Sequence, residues 1–230
     1  MGGVDELYRQ RHSRAWRYRL WRLIAPPPPR IMNPREPRDF PLGRWNLYIG
    51  GAGSTVPGYV NVDLSAAPGV NVAADAAHLP FPPDLFTRVE CDAVLEHVRS
   101  PEQVMREITR VLAPGGYAHV VVPFCHPFHA YPEDYRRFTP DGLRLLAPQL
   151  EPCAQGWRTG PTATVLLFVL EYVKLLFPWR FWRAAVHFTL GWPFALLRYA
   201  DLLLLRSGRA ALLGNHCYIW FRKPLPAAES

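Results

Sequence analysis

The 230-residue chain has only four cysteines, Cys91, Cys125, Cys153 and Cys217, and no two of them stand as a C-x-x-C pair. That spacing argues against a cysteine-based zinc site and a disulfide framework, and it suits a reducing compartment. No metal is expected. No uncharged stretch reaches the roughly 18 apolar residues of a membrane span. Arginines interrupt every apolar run near the N-terminus, so no secretory signal is visible. No segment repeats, and no nucleic-acid-binding motif is present. Net charge is also scarce outside one arm. Residues 1–45 carry ten arginines against four acids, whereas the other 185 residues hold 16 basic and 15 acidic groups. These absences lead to a cytoplasmic expectation, with the inner face of a membrane as an allowed peripheral place.

What the chain does have is a strand–glycine–strand unit at residues 47–64, LYIGGAGSTVPGYVNVDL. Leu47, Tyr48 and Ile49 read as a buried strand that stops at Gly50, Gly51 and Gly53. Pro57 and Gly58 turn the chain, and residues 59–62 resume strand character before Asp63. In an open α/β sheet the carboxyl ends of adjacent strands form the ligand edge. Glycines admit a ligand to the backbone there, and a carboxylate can accept two hydrogen bonds from a ribose diol. The alternative is a tight turn between core strands. The dinucleotide fingerprint is incomplete, because Val56 takes the third glycine position and Asp63 follows Gly53 by only ten residues. The residues between leave no room for a useful helix aimed at a pyrophosphate.

Further strands are expected at 70–74, ending at Asp75, at 88–91, ending near Asp92, and at 117–122. A helix begins after Ser100, with Pro101 at its first position and Gln103 completing a capping box. Val104, Ile108, Val111 and Leu112 form its buried stripe, and Pro114, Gly115 and Gly116 end it. Strands alternating with turns and helices, with acids at strand ends, predict a mostly parallel sheet.

The ordered set LYIGGAG, GYVNVDL, AADAAHLPF, VLEHV, REITRVLAPGGY and VVVPF resembles the class I methyltransferases that use S-adenosylmethionine, specifically the type 11 group. The similarity covers about residues 47–146. It implies a Rossmann-like, mostly parallel sheet with S-adenosyl-L-methionine as cofactor. By that resemblance Gly50, Gly51 and Gly53 line the methionine portion and Asp63 takes the ribose hydroxyls. Asp75 meets the adenine amino group with Ala76 beside it, and Asp92 and Ala93 lie near the sulfonium. Three features depart from the family: Ala52 at the second glycine, Thr87 where an aspartate usually opens the fourth strand, and early helices cut to turns. They leave open a non-catalytic member that kept the fold.

After the fifth strand comes PFCHPFHAYPEDYRRFTPDGL, a long loop on the methyl-donor side. Type 11 members resemble it in carrying a His, a Pro-x-Asp-Tyr and an Arg before a helix-capping Thr, here His129, Pro132, Asp134, Tyr135, Arg137 and Thr139. His129 and Asp134 are the catalytic candidates, since methyl transfer needs positioning and an oxygen or nitrogen acceptor needs a base. The alternative is that Asp134 and an arginine hold the loop while the tyrosines pack. His97 reads as a structural or cofactor-shell histidine.

Residues 1–45 read as a basic arm and Pro-rich linker, with a helix at 5–25 whose face carries Trp16, Leu20, Leu23 and Ile24. Residues 46–160 read as the core, 161–210 as an apolar helical insertion, 211–225 as the final strand at the sheet edge, and 226–230 as a tail. The arm and the tryptophan-flanked insertion suit an anionic membrane surface, or else pack on the core. The function expected is methyl transfer to a small-molecule, glycan or lipid-linked acceptor. The rivals are a non-catalytic scaffold at a membrane surface and a nucleotide-sugar or NAD enzyme.

Overall fold

The computed structural model describes residues 24–51 and 55–226. Nearly all of the expected helix at 5–25 lies outside that range, as do Ala52, Gly53 and residues 227–230. Seven strands form one sheet: β1 (Asn46–Ile49), β2 (Val60–Asp63), β3 (Val72–Ala73), β4 (Phe86–Asp92), β5 (Leu112–Pro123), β6 (Glu151–Thr159) and β7 (His216–Arg222). Their order is β3-β2-β1-β4-β5-β7-β6, and only the pairings of β7 with β5 and with β6 are antiparallel. The chain leaves β1 in one direction to β2 and resumes on its other side at β4, so the carboxyl ends of β1 and β4 mark the topological switch point. Among the described residues no helix follows β1, β2 or β3.

One face of the sheet carries the main core: Leu47, Ile49, Val62, Val89, Cys91, Val120, Ile219 and Phe221, all nearly inaccessible. Helix α1 (Pro101–Val111) covers it with Val104, Met105, Ile108 and Val111. Each such side chain removed from water contributes roughly 1.5–3 kcal/mol. The expected capping box does not form. Ser100 makes no side-chain cap bond, and Gln103 Nε2 instead donates to Ala77 O at 3.2 Å. A long-range partner that ties the helix to the β3–β4 connection has displaced the local one. Nor do the glycines end the helix. Leu112 is already extended and in register with Phe86, so the chain passes from α1 straight into β5. Gly116 has a different reason to be glycine. A Cβ there would lie 2.8 Å from both Ala113 O and Thr87 O.

The final strand also sits elsewhere than expected. β7 lies between β5 and β6, and β6 takes the edge. Nothing in the sequence marks β6, because an edge strand with only its last residue buried shows no apolar alternation. The opposite face of the sheet is covered by residues 33–40, a Pro-rich stretch that the sequence alone reads as linker. Asn33 donates to Trp157 O, Glu36 pairs with Arg158, and Phe40 stacks on Trp220 at 4.1 Å.

The insertion after β6 is helical, as expected. It comprises α3 (Pro161–Leu175), α4 (Arg180–Leu197) and the short α5 (Asp201–Leu204). Leu166 and Leu170 pack with Val186 and Phe194 in a separate small core. Asp201 is fully buried and accepts from the amides of Thr162 and Ala163 at 2.8 and 3.1 Å. A carboxylate there satisfies orphan donors of the first turn and opposes the helix dipole. Thr164 Oγ1 donates to Leu213 O at 2.7 Å, and Asn215 Nδ2 donates to Cys125 O at 2.5 Å, which ties the insertion to the start of β7 and the end of β5. No helix among the described residues is long and apolar enough to cross a membrane.

Candidate functional site

A cleft opens at the carboxyl ends of β1, β2 and β4. Its walls include Ile49, Gly50, Val62, Asp63, Ala74, Asp75, Ala76, Ala93, Val94, His97 and Tyr131. β1 ends at Gly50, whose φ is +80° and whose amide donates to Val62 O at 2.9 Å. A side chain there would be strained, and its Cβ would collide with Val94 Cγ2. The bare backbone is what lets the β4 end fold close over the β1 end. Asp63 follows at the end of β2, almost buried, and its Oδ1 accepts from the Leu64 amide at 2.7 Å. Asp75 Oδ1 accepts from the Ala77 amide at 2.8 Å, which presents the carboxylate at the lip. Ala93 has φ +55°, a left-handed conformation that a non-glycine residue adopts at a cost.

Thus the structure brings Gly50, Asp63, Asp75, Ala76 and Ala93 to one cleft. Gly51 follows Gly50 but is not among the cleft's walls, and Gly53 lies outside the described residues. Asp92 does not line the cleft. Along β4, Val89 and Cys91 face the main core while Arg88, Glu90 and Asp92 face the other side of the sheet. There Arg158 Nη1 donates to Asp92 Oδ2 at 2.5 Å. The same guanidinium pairs with Glu36, and Glu36 and Glu90 both face the His119 imidazole, at 2.9 and 2.6 Å. Burial raises the Glu36 carboxyl, but the His119 and Arg158 contacts outweigh it and hold it at about 2. Burial lowers His119, and the two carboxylates outweigh it, so its pKa is raised.

The loop after β5 folds back over the cleft rim. Tyr135 N donates to Glu96 O at 2.8 Å, and Arg136 Nη1 donates to Arg99 O at 3.0 Å. Asp134 accepts from Arg137 at both oxygens, at 2.5 and 2.7 Å, and from the His129 amide at 2.8 Å. The guanidinium first, against a smaller burial effect, pushes its pKa far below the usual carboxylate range. Asp134 is therefore a fixed anion that sets the loop and orients His129. The local helix α2 (Pro140–Leu145) starts at Thr139, whose hydroxyl accepts from the Gly142 amide, as the sequence predicts.

His129 stands 5.0 Å from the His97 ring and 4.5 Å from His126, centroid to centroid. The Glu96 carboxylate facing its Nε2 raises the pKa of His129, against the effect of burial. Burial lowers His126 to about 4, with the nearby His129 charge adding to it, so that ring is neutral near pH 7. The sequence alone signals no role for Glu96 or Arg158. Glu96 stood within a recognised motif, but nothing in the sequence says that its carboxylate is buried.

The cleft suits a cationic nucleoside ligand. Its walls are mainly apolar, its two carboxylates stand at separate strand ends, and among the described residues no Lys or Arg lines it. A pyrophosphate would find no basic partner among these residues.

A family profile described as "Methyltransferase domain" matches residues 56–120. Methyltransferase GfsG of Streptomyces halstedii is 49% identical over 43 residues, which is 19% of this chain and 16% of that protein. The match thus spans a small part of that relative's length. Among solved structures, the [4+2]-cyclase SpnF superposes with a TM-score of 0.50 at 18% identity, over 80% of this chain and 76% of that one. The Burkholderia thailandensis 1,6-didemethyltoxoflavin-N1-methyltransferase, bound to its substrate and S-adenosylhomocysteine, gives a TM-score of 0.46 at 14% identity, over 78% and 71%. At 18% identity the likeness to SpnF concerns the fold. The profile match over residues 56–120 and the strand order both agree with the Rossmann-like fold of the class I methyltransferases, and the cleft's chemistry suits S-adenosyl-L-methionine.

Proposed function

We propose that the protein transfers a methyl group from S-adenosyl-L-methionine to a small-molecule, glycan or lipid-linked acceptor. The observation that carries this reading is the apolar, two-carboxylate cleft at the switch point, with a backbone glycine at its floor. Asp63 would accept the ribose hydroxyls, and Asp75 and Ala76 would meet the adenine. Gly50, Gly51 and Ala93 would flank the methionine portion. Bound there, the cofactor supplies a methyl group activated by its sulfonium. The chain's part is to hold both reactants in line and to shield them from water. Asp134 and Arg137 fix the loop so that His129 faces the cleft rim, where it would orient the acceptor or receive its proton.

Calorimetry with S-adenosylmethionine, S-adenosylhomocysteine and NAD tests the cofactor. Micromolar binding of the first two and none of NAD is expected, and the reverse would refute the reading. Incorporation of labelled methyl into an acceptor would then separate an enzyme from a non-catalytic scaffold on the same fold.

We also propose that the helical insertion meets a membrane surface. Tyr172, Leu175, Leu176, Trp179 and Phe181 are all more than half exposed around the α3–α4 turn. Exposed apolar patches of this kind mark interaction sites. This reading places the protein at the inner face of a membrane without crossing it.

A further inference from the structure

Glu96 is fully buried, and neither of its carboxylate oxygens has a hydrogen-bond partner. Stripping a carboxylate of water without a donor costs several kcal/mol in general, so such a group calls for a cation. Two imidazoles face it. His97 Nε2 and His129 Nε2 each lie 3.8 Å from Glu96 Oε1, and one ligand atom from each of the three residues lies within 4.8 Å of the others.

The other ring nitrogens settle what the Nε2 atoms can do. His97 Nδ1 is 2.5 Å from Glu133 O, and a carbonyl oxygen can only accept. His129 Nδ1 is 3.3 Å from Pro127 O and 3.4 Å from Asp134 Oδ2, both acceptors. Each Nδ1 therefore carries the proton in the neutral ring, and each Nε2 presents a lone pair. An imidazole anchored through Nδ1–H to a carbonyl or carboxylate is the arrangement that orients histidine ligands on metals. The backbone adds rigidity. Tyr135 N donates to Glu96 O, so the loop bearing His129 is fastened to the turn bearing Glu96 and His97.

We infer that Glu96, His97 and His129 form a binding site for one divalent transition-metal cation. Two imidazole nitrogens and one carboxylate suit zinc and its neighbours, whereas magnesium prefers an all-oxygen shell. Metal–nitrogen bonds of about 2.0–2.1 Å in a tetrahedral site put ligand atoms roughly 3.3 Å apart. The 3.8 Å separations need only a small closure of the side chains. Three protein ligands leave a position open, as catalytic rather than structural sites do. His97 also lines the cofactor cleft, so a hydroxyl held on the cation would lie beside the methyl donor with its pKa lowered. That last consequence rests on the methyltransferase reading, but the cation site does not.

The test is metal binding by the full-length protein, read without any assay of turnover. After chelator dialysis, one equivalent of Zn2+ should bind by calorimetry and persist through desalting by elemental analysis. Co2+ should give the visible bands of a low-coordinate nitrogen–oxygen site. Mg2+ in 1,000-fold excess should not displace zinc. His129→Ala and Glu96→Gln should each weaken zinc at least tenfold, and Cys125→Ser with Cys153→Ser should not. Glu96 is in the core, so Glu96→Gln is read only alongside its circular dichroism. The more exposed His129 carries the test if that variant unfolds. Sub-stoichiometric zinc, or equal zinc affinity in a folded His129→Ala protein, would overturn the site. Cofactor calorimetry on the same samples reports separately on the methyltransferase reading.

Discussion

Arg158 on β6 holds Asp92 at the end of β4 through a 2.5 Å hydrogen bond, on the face of the sheet away from the core. A carboxylate that its motif position assigns to the cofactor is thereby committed to a guanidinium that also clamps Glu36. Of the three strand-end aspartates, only Asp63 and Asp75 line the cleft.

Asp63→Ala should remove most of the affinity for S-adenosylmethionine. Two hydrogen bonds from a ribose diol to a carboxylate would be lost, each worth roughly 1.5–3 kcal/mol. Calorimetry on a folded variant should show at least a tenfold rise in Kd, and an unchanged Kd would sink the placement.

Asp92→Asn should behave in the opposite way. Cofactor affinity should stay within about twofold, while Tm falls by about 2–4 °C because one charged partner of Arg158 is gone and Glu36 remains. A large loss of cofactor affinity with an unchanged Tm would return Asp92 to the binding site.

Stability should depend on pH through Glu36 and His119. Glu36 has a depressed pKa, so its contribution is complete above its ordinary 4.5 and is lost as pH falls toward about 2. A displacement of that size corresponds to about 3 kcal/mol. His119 has a raised pKa, so its contribution is complete below 6.5 and is lost as pH rises through the raised value. Denaturant titrations should therefore show maximal stability between about pH 4.5 and 6.5. In Glu36→Gln the acid limb should flatten, and a limb as steep as in the unmodified protein would show that other carboxylates govern it.

His129→Ala should lower kcat far more than it weakens cofactor binding, by about 10²-fold, whether His129 takes the acceptor's proton itself or holds the cation that activates the acceptor. Once an acceptor is known, the comparison is kcat against the calorimetric Kd for S-adenosylmethionine. Equal losses in both, or none in either, would remove His129 from the chemistry.

The protein should sediment with anionic liposomes at low salt and partly release at high salt. Basic residues near such a surface contribute roughly 1 kcal/mol each and are screened, while apolar insertion is not. Trp179→Ser with Phe181→Ser should abolish the salt-resistant fraction. Retention of the whole protein in the supernatant with both anionic and neutral liposomes would make the exposed helical face a packing surface for something else.

The sequence by itself determined the parallel half of the sheet. Buried runs such as 47–49 and 117–122, broken at Gly50 and Pro123, are set by local propensity and apolar burial, and these act on neighbours in the chain. It also determined the glycine at the cleft floor, the strand-end acids and the Thr139 cap, because each depends on a few adjacent residues. The early connections read as too short for helices, and none is present there among the described residues. Only the tertiary structure decided which way each polar side chain faces. A strand alternates every residue, so the pleat that puts Cys91 in the core sends Asp92 to Arg158, a partner 66 positions away. The Glu96 side chain is buried only because the β5–α2 loop lies over it and brings His129 beside His97. Burial of residues 33–40 needed Arg158 and Trp220 from the far end of the chain. The edge strand β6, buried only at Thr159, takes its conformation from the β7 hydrogen-bond ladder rather than from any apolar pattern of its own. Non-local pairing is decided by packing and charge satisfaction across the fold, and no window of the sequence contains both partners.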